Sequence, residues 1–322
     1  MKFFPVDIKE KGSLFLFLII LIVSQPIFSQ PLSLNSDSVA YSYTKFSDRI
    51  NKTTLIRYKG DSLLFKSPKL FSVIKNVPSD LLYIVKSPFK REAIPWLAAV
   101  AVSTGISIAY DQKITDWIKR TSYKHCISAN TSYNVLIKAG NTKVLQVPRN
   151  GTTAFYQLGQ GGTSLLLAGG MWVYGKFYHD YRAVSTAADL TETFITMAIV
   201  TQVIKRITGR ESPFEATAPG GRWRPFPSFS AFQKDTPKYD AFPSGHLATL
   251  MATITVLSEN YPEKKWIRPV GYSLMGICMW TMANIEVHWV GDYPLALAIG
   301  YLSGKITSMQ HRKKDKPAAM LF

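Results

Sequence analysis

The sequence predicts an all-α protein, a bundle of about six core helices expected to be embedded in a membrane. Three observations carry this. Hydrophobic residues make up 47% of the 322 residues and charged ones 18%, an apolar balance for a soluble chain. Apolar runs of helical length recur from residue 94 onward, with polar connections between them. No alternating stretch of any length competes with them as a strand.

Taken in order, the chain opens like a secretory signal peptide over residues 1–29. Lys2, Lys9 and Lys11 precede the unbroken apolar run Ser13 to Val23, and small Ser29 offers a cleavage point. Residues 30–91 are polar, with a short strand or helix expected between Leu63 and Val85, and read as an N-terminal extension. A helical domain follows over residues 92–308, and a basic tail over 309–322. The six apolar segments of that domain are Ile94 to Tyr110, Tyr156 to Tyr174, Leu190 to Ile207, Leu247 to Leu257, Val270 to Ala283 and Pro294 to Ile306. Asp189 and Glu192 would open the third of them, near an interface.

Most segments fall short of the roughly 20 apolar residues that a membrane span needs. The cations Lys264, Lys265 and Arg268 and the tail cations Arg312, Lys313, Lys314 and Lys316 share one side, which the positive-inside rule makes cytoplasmic. The loops before segments four and six then face the periplasm. A cleaved signal puts the extension there too, so an even number of crossings must precede segment four. The first segment, interrupted by Ser103-Thr104-Gly105, is expected not to cross. The address is therefore the bacterial cell envelope, with either an inner-membrane protein or a soluble periplasmic bundle.

The formal net charge of +17 calls for an anionic partner. No nucleic-acid signature accompanies it, so a phosphorylated lipid, a small phosphate ester or a membrane is expected, and nucleic acid is not. The two cysteines, Cys126 and Cys278, follow no metal-ligand spacing and suggest no disulfide framework.

Three clusters carry chemistry. The first is the basic run Lys205-Arg206-Ile207-Thr208-Gly209-Arg210-Glu211-Ser212-Pro213, closing segment three. The second is Pro243-Ser244-Gly245-His246, at the mouth of segment four. A serine caps such a helix, a glycine lets a ligand approach the backbone, and the free N–H groups attract an anion. His246 adds a proton carrier. The third cluster holds His288 and Asp292, spaced to share one helical face, so that the carboxylate can orient the imidazole. In a bundle, the end of segment three and the starts of segments four and six can meet at one end.

With these three clusters in this order, the chain resembles the type 2 phosphatidic acid phosphatase superfamily. That superfamily includes membrane lipid phosphatases, soluble bacterial acid phosphatases and vanadium haloperoxidases. Lys205 and Pro213 fit its Lys-x6-Arg-Pro motif, Pro243 to His246 match its Pro-Ser-Gly-His, and His288 and Asp292 fit the end of Ser-Arg-x5-His-x3-Asp. The resemblance implies that His288 attacks phosphorus and forms a phosphohistidine, that Asp292 orients it, and that His246 protonates the leaving oxygen. Lys205, Ser244 and the Gly245 N–H would hold the phosphoryl oxygens, and no metal or other cofactor is implied.

Two positions depart from the motif. Ser212 stands where arginine is expected before Pro213, and Thr281-Met282 replaces Ser-Arg. A thioether cannot do the work of a cationic fork. Arg210, and after it Arg222 or Arg224, are the expected substitutes as phosphate ligands. Glu286 is expected to face away. The reading is a phosphatase acting on a phosphate monoester or diphosphate, expected to be a lipid. The alternative is a degenerate relative that binds phosphorylated lipid or serves a structural role. A haloperoxidase ranks third.

Overall fold

The computed structural model describes residues 43–59, 61–69, 71–139, 142–311 and 313–314. The expected signal peptide and the tail cations Arg312 and Lys316 lie outside the described residues.

The described chain is mostly helical, as the apolar segments predict, with two small sheets besides. The extension forms an antiparallel meander of β1 (Thr44–Asp48), β2 (Thr53–Tyr58) and β3 (Asp61–Lys66), against which Lys313–Lys314 also pairs. The expectation of no competing strands fails here. Thr54 and Ile56 on β2, and Leu63 and Phe65 on β3, alternate inward and are buried. Their signal is short, and polar neighbours hide it. α1 (Ser72–Lys86) follows, so the Leu63 to Val85 stretch holds both a strand and a helix. The sheet docks on the domain through Thr54, whose hydroxyl accepts from the Tyr181 N–H at 3.1 Å, and through a 2.6 Å ion pair between Lys45 and Asp180.

All six apolar segments are helical, most of them longer than the hydropathy alone delimits. α2 (Ile94–Lys124) continues fourteen residues past Tyr110. A hairpin of β4 (Tyr133–Ala139) and β5 (Thr142–Pro148) follows, a second departure from the strand-free expectation. The second segment is broken at Gly159-Gln160 into α3 (Gly151–Leu158) and α4 (Gly161–Phe177). α5 (Tyr181–Thr208) starts nine residues before Leu190, with the Asp180 carboxylate capping the Arg182 and Ala183 N–H groups. Asp189 and Glu192 are therefore not at its opening. They sit inside the helix, buried, where Asn260 donates to Asp189 at 2.6 Å and Asn76 to Glu192 at 3.3 Å. Partners from other helices let these carboxylates stay in the interior.

A short α6 (Phe229–Lys234) interrupts the loop before α7 (Gly245–Asn260), and α8 (Ile267–Asn284) and α9 (Tyr293–His311) complete the domain. α7 lies at the centre, against α5, α8 and α9. Leu247, Met251, Cys278, Met282, Val290 and Tyr293 form the middle of the core. Two helical stretches, Arg91–Lys124 and Tyr181–Thr208, are long and apolar enough to cross a membrane. The first, which the sequence assigns as non-crossing, has only 6% of its most apolar window buried within the protein, against 61% for the second.

Candidate active site

The three clusters meet at the N-terminal end of α7. Ser244 caps that helix, its Oγ accepting from the Leu247 N–H at 3.4 Å. The Ser244 N–H in turn donates to the Asp292 carbonyl at 3.0 Å, which ties the second cluster to the third. The first turn leaves the N–H groups of Gly245 and His246 without an intrahelical acceptor. Lys205, in the last turn of α5, stands over this opening: a side-chain carbon on Gly245 would come within 3.8 Å of its Nζ. The His246 and His288 rings face one another edge to face with centroids 5.6 Å apart. A lysine, a helix mouth and two imidazoles thus surround one small space, suited to an anion that must gain or lose a proton.

His288 is held from behind. Its Nδ1 is 2.9 Å from the Ala241 carbonyl and 3.5 Å from Asp292 Oδ2. Both neighbours accept, so Nδ1 carries the proton and Nε2 keeps its lone pair. Asp292 lies in the 3₁₀ turn Val290–Asp292, and its Oδ2 also accepts from the Trp289 N–H at 2.8 Å. Burial pushes this carboxyl upward, but the Arg210 guanidinium, with His288 and the Trp289 N–H, holds it below the usual carboxylate range.

Arg210 is where the sequence reading is corrected. Gly209 ends α5 in the left-handed conformation, at φ 56°, where a Cβ would fall 1.8 Å from the Arg224 carbonyl oxygen. That turn carries residue 210 inward. Its guanidinium is fully enclosed, bonded to Asp292 Oδ1 at 2.6 Å, Asp111 Oδ2 at 2.5 Å and the Gly220 carbonyl at 2.7 Å. It stands behind Asp292 rather than over the anion space. Burial alone would lower the Arg210 pKa; the two carboxylates carry it above its ordinary value. Asp111 accepts the Gly291 N–H at 2.7 Å through its other oxygen, so it steadies both the arginine and the turn that bears Asp292.

The other proposed substitutes serve the loop. Glu211 accepts from the Thr217 N–H, the Arg222 N–H and the Arg224 guanidinium, the last at 2.6 Å. Arg222 contributes its backbone to this knot, with its side chain exposed. Burial alone would raise the Glu211 pKa; the Thr217 and Arg222 N–H groups and Arg224 outweigh it and hold it at about 2, against 4.5 for a free glutamate. A folded-state pKa below the unfolded one contributes stability that is present above pH 4.5 and lost as the pH falls towards 2. Glu211→Gln is expected to cost about 1.5–3 kcal/mol at neutral pH, the range for hydrogen bonds to a charged group. Thermal midpoints of the two proteins, measured from pH 7 down to pH 2, should converge at the acid end. Parallel curves would refute this account.

The two vacant arginine positions are also filled. Ser212 is buried, with its N–H given to the Pro237 carbonyl. The Met282 thioether is fully buried, 3.9 Å from Ser244 Oγ. Glu286 pairs with Lys119 at 2.7 Å at the surface. Three site residues were missed. Asp240 lies 3.2 Å from Lys205 Nζ and is partly exposed. Tyr156 stacks on the His246 ring. Asp111 follows directly on the apolar run ending at Tyr110, and a carboxylate at that place was the available signal. Among the described residues, no group of three or more histidines, cysteines or carboxylates is arranged to hold a metal ion.

Comparison with protein families adds one finding: the model of the PAP2 superfamily matches residues 186–316. Over those 131 of its 322 residues the chain is similar to the PAP2 superfamily. No curated protein and no solved structure matches the chain. The PAP2 match supports phosphatase-type activity in general, and a phosphate ester as the kind of substrate. It spans Lys205, Pro-Ser-Gly-His, His288 and Asp292, and begins after α2, α3 and α4. Asp111 and Tyr156 therefore join the candidate site from outside the matched region.

Proposed function

We propose that this protein hydrolyses a phosphate monoester or diphosphate of a lipid through a phosphohistidine on His288. The carrying observation is the pair of imidazoles 5.6 Å apart at a capped helix mouth, one with its Nδ1 tied to Ala241 and Asp292 and the other without such a tie. In the first step, His288 Nε2 attacks phosphorus, a P–N bond forms, and the bond to the leaving oxygen breaks as His246 gives that oxygen its proton. In the second step, water attacks phosphorus, His246 takes the water's proton, the P–N bond breaks with its electron pair returning to His288 Nε2, and orthophosphate leaves. Lys205, Ser244 and the Gly245 N–H hold the phosphoryl oxygens. Burial, with the neighbouring His288 ring and the Lys205 ammonium, keeps the His246 pKa well below its ordinary value. A bound phosphoryl anion offsets the Lys205 charge and favours the protonated acid.

The lipid reading draws on the apolar exposure of α2 and α4. Leu97, Val102 and Ile106 on one, and Leu166, Trp172 and Phe177 on the other, are exposed, and the chain carries a net charge of +17. With the leader-like residues 1–29, the proposed address is the bacterial inner membrane with the site facing the periplasm.

A second reading, a phosphate-lipid binder without turnover, is favoured by Ser212, Met282 and the Asp240 carboxylate on Lys205. Brief incubation with lipid phosphates separates the two. A phosphatase releases orthophosphate and yields a phosphorylated protein that is acid-labile and base-stable. Binding of the same lipids with neither product would leave the second reading standing and remove the first.

A further inference from the structure

The His246 ring differs from His288 in what holds it. Among the described residues, no protein group hydrogen-bonds to either of its nitrogens. Two contacts from the elbow between α3 and α4 hold it instead. The Tyr156 ring lies on its face, centroids 4.6 Å apart and planes 30° from parallel. Gly159 presses on its backbone so closely that a Cβ there would lie 2.8 Å from the His246 Cβ and 3.0 Å from its carbonyl oxygen. The elbow is itself anchored. Asn150 caps α3 through the Thr153 N–H at 2.8 Å, and Thr152 donates to the Ser128 carbonyl at 2.7 Å. Asn284 of α8 donates to the same carbonyl at 3.2 Å.

We infer that Tyr156, seated by the Gly159 elbow, is a positioning residue for the proton transfer made by His246. His288 is oriented through its Nδ1, but a ring with no protein hydrogen bond at either nitrogen must be oriented through its faces and backbone. The stack supplies the face contact and the glycine the backbone contact. His288 closes the remaining approach edge-on. The elbow precedes residues 186–316, so it is not part of the matched family region.

The inference rests on the proposed phosphatase chemistry, and the test separates the two. The full chain is assayed on two esters that share one phosphoryl group: an alkyl phosphate, whose leaving oxygen needs a proton, and 2,4-dinitrophenyl phosphate, whose leaving oxygen does not. Tyr156→Ala is expected to lower kcat/KM on the alkyl ester by about tenfold or more, part of the roughly 10²–10⁴-fold that a general acid contributes. On the activated ester the loss should stay within about threefold. Tyr156→Phe should recover most of the alkyl-ester rate, Gly159→Ala should show the same asymmetry as Tyr156→Ala, and His246→Ala a larger one. In the His246→Ala background, Tyr156→Ala should add little. Equal losses on both esters, or additivity with His246→Ala, would overturn the inference. Loss of activity on neither ester in His288→Ala would instead count against the phosphatase chemistry. A readout that needs no turnover is the ring-current shift of the His246 carbon-bound protons in the NMR spectrum. It should vanish in Tyr156→Ala and persist in Tyr156→Phe; an unmoved resonance in Tyr156→Ala refutes the stacked arrangement.

Discussion

Replacing His288 with alanine is expected to remove turnover, lowering kcat/KM for every phosphate ester accepted by the wild type by at least about 10⁴-fold, or about 5.5 kcal/mol of barrier. No neighbour can take over. His246 stands across the space as the proposed proton carrier, and Lys205 is paired with Asp240 at 3.2 Å. Water attacking directly would lack both the aligned nucleophile and the division of one hard step into two. The fold should survive. The ring's hydrogen bond goes to the Ala241 carbonyl, and Asp292 keeps Arg210 and the Trp289 N–H as partners. The check is orthophosphate release alongside a thermal midpoint. An unchanged rate with an intact fold would sink the nucleophile assignment, and a fall in both together would make the residue structural.

Much of the site was legible because its chemistry is carried by residues adjacent in sequence to helix ends. Pro243 to His246 announces a capped helix mouth, and Ser244 does cap α7. His288 and Asp292 come within 3.5 Å, but not on a shared helical face, because His288 lies in the bend before the 3₁₀ turn Val290–Asp292. The six apolar segments fall on helices for the same local reason, since periodicity is written residue by residue. What stayed hidden depends on partners far along the chain. The polar first turns of α5 are buried because Thr186, Asp189 and Glu192 find partners on α7 and α1, up to 116 residues away. Asp111 reaches Gly291 across 180 residues. The direction of Arg210 is the least legible feature. Sequence proximity to Ser212 suggests a phosphate ligand, whereas the left-handed Gly209 carries the side chain towards Asp111 and Asp292. A vacancy in a motif does not draw the nearest arginine into it when two carboxylates elsewhere offer that arginine a dry, bidentate site.

That buried fork yields the second large effect. Arg210→Met is expected to destabilise the protein by about 3–5 kcal/mol, because Asp111 and Asp292 would be left buried, facing each other without a cation. In a chain of this size that is a fall in thermal midpoint of roughly 10 °C. Turnover should fall as well, since Asp292 would then be free to protonate or turn away from His288. Arg210→Lys keeps the charge but not the fork, and should fall between the two proteins. Adding Asp111→Asn to Arg210→Met removes one of the two orphaned charges and should regain part of the stability without regaining the rate. The affinity for inorganic phosphate decides between the two roles proposed for this residue. A phosphoryl ligand would lose that affinity on substitution with the midpoint little changed. An orienting residue behind Asp292 would lose midpoint and kcat while phosphate binds as before, and this second pattern is the one that a fully enclosed guanidinium, bonded to Asp292 at 2.6 Å, requires.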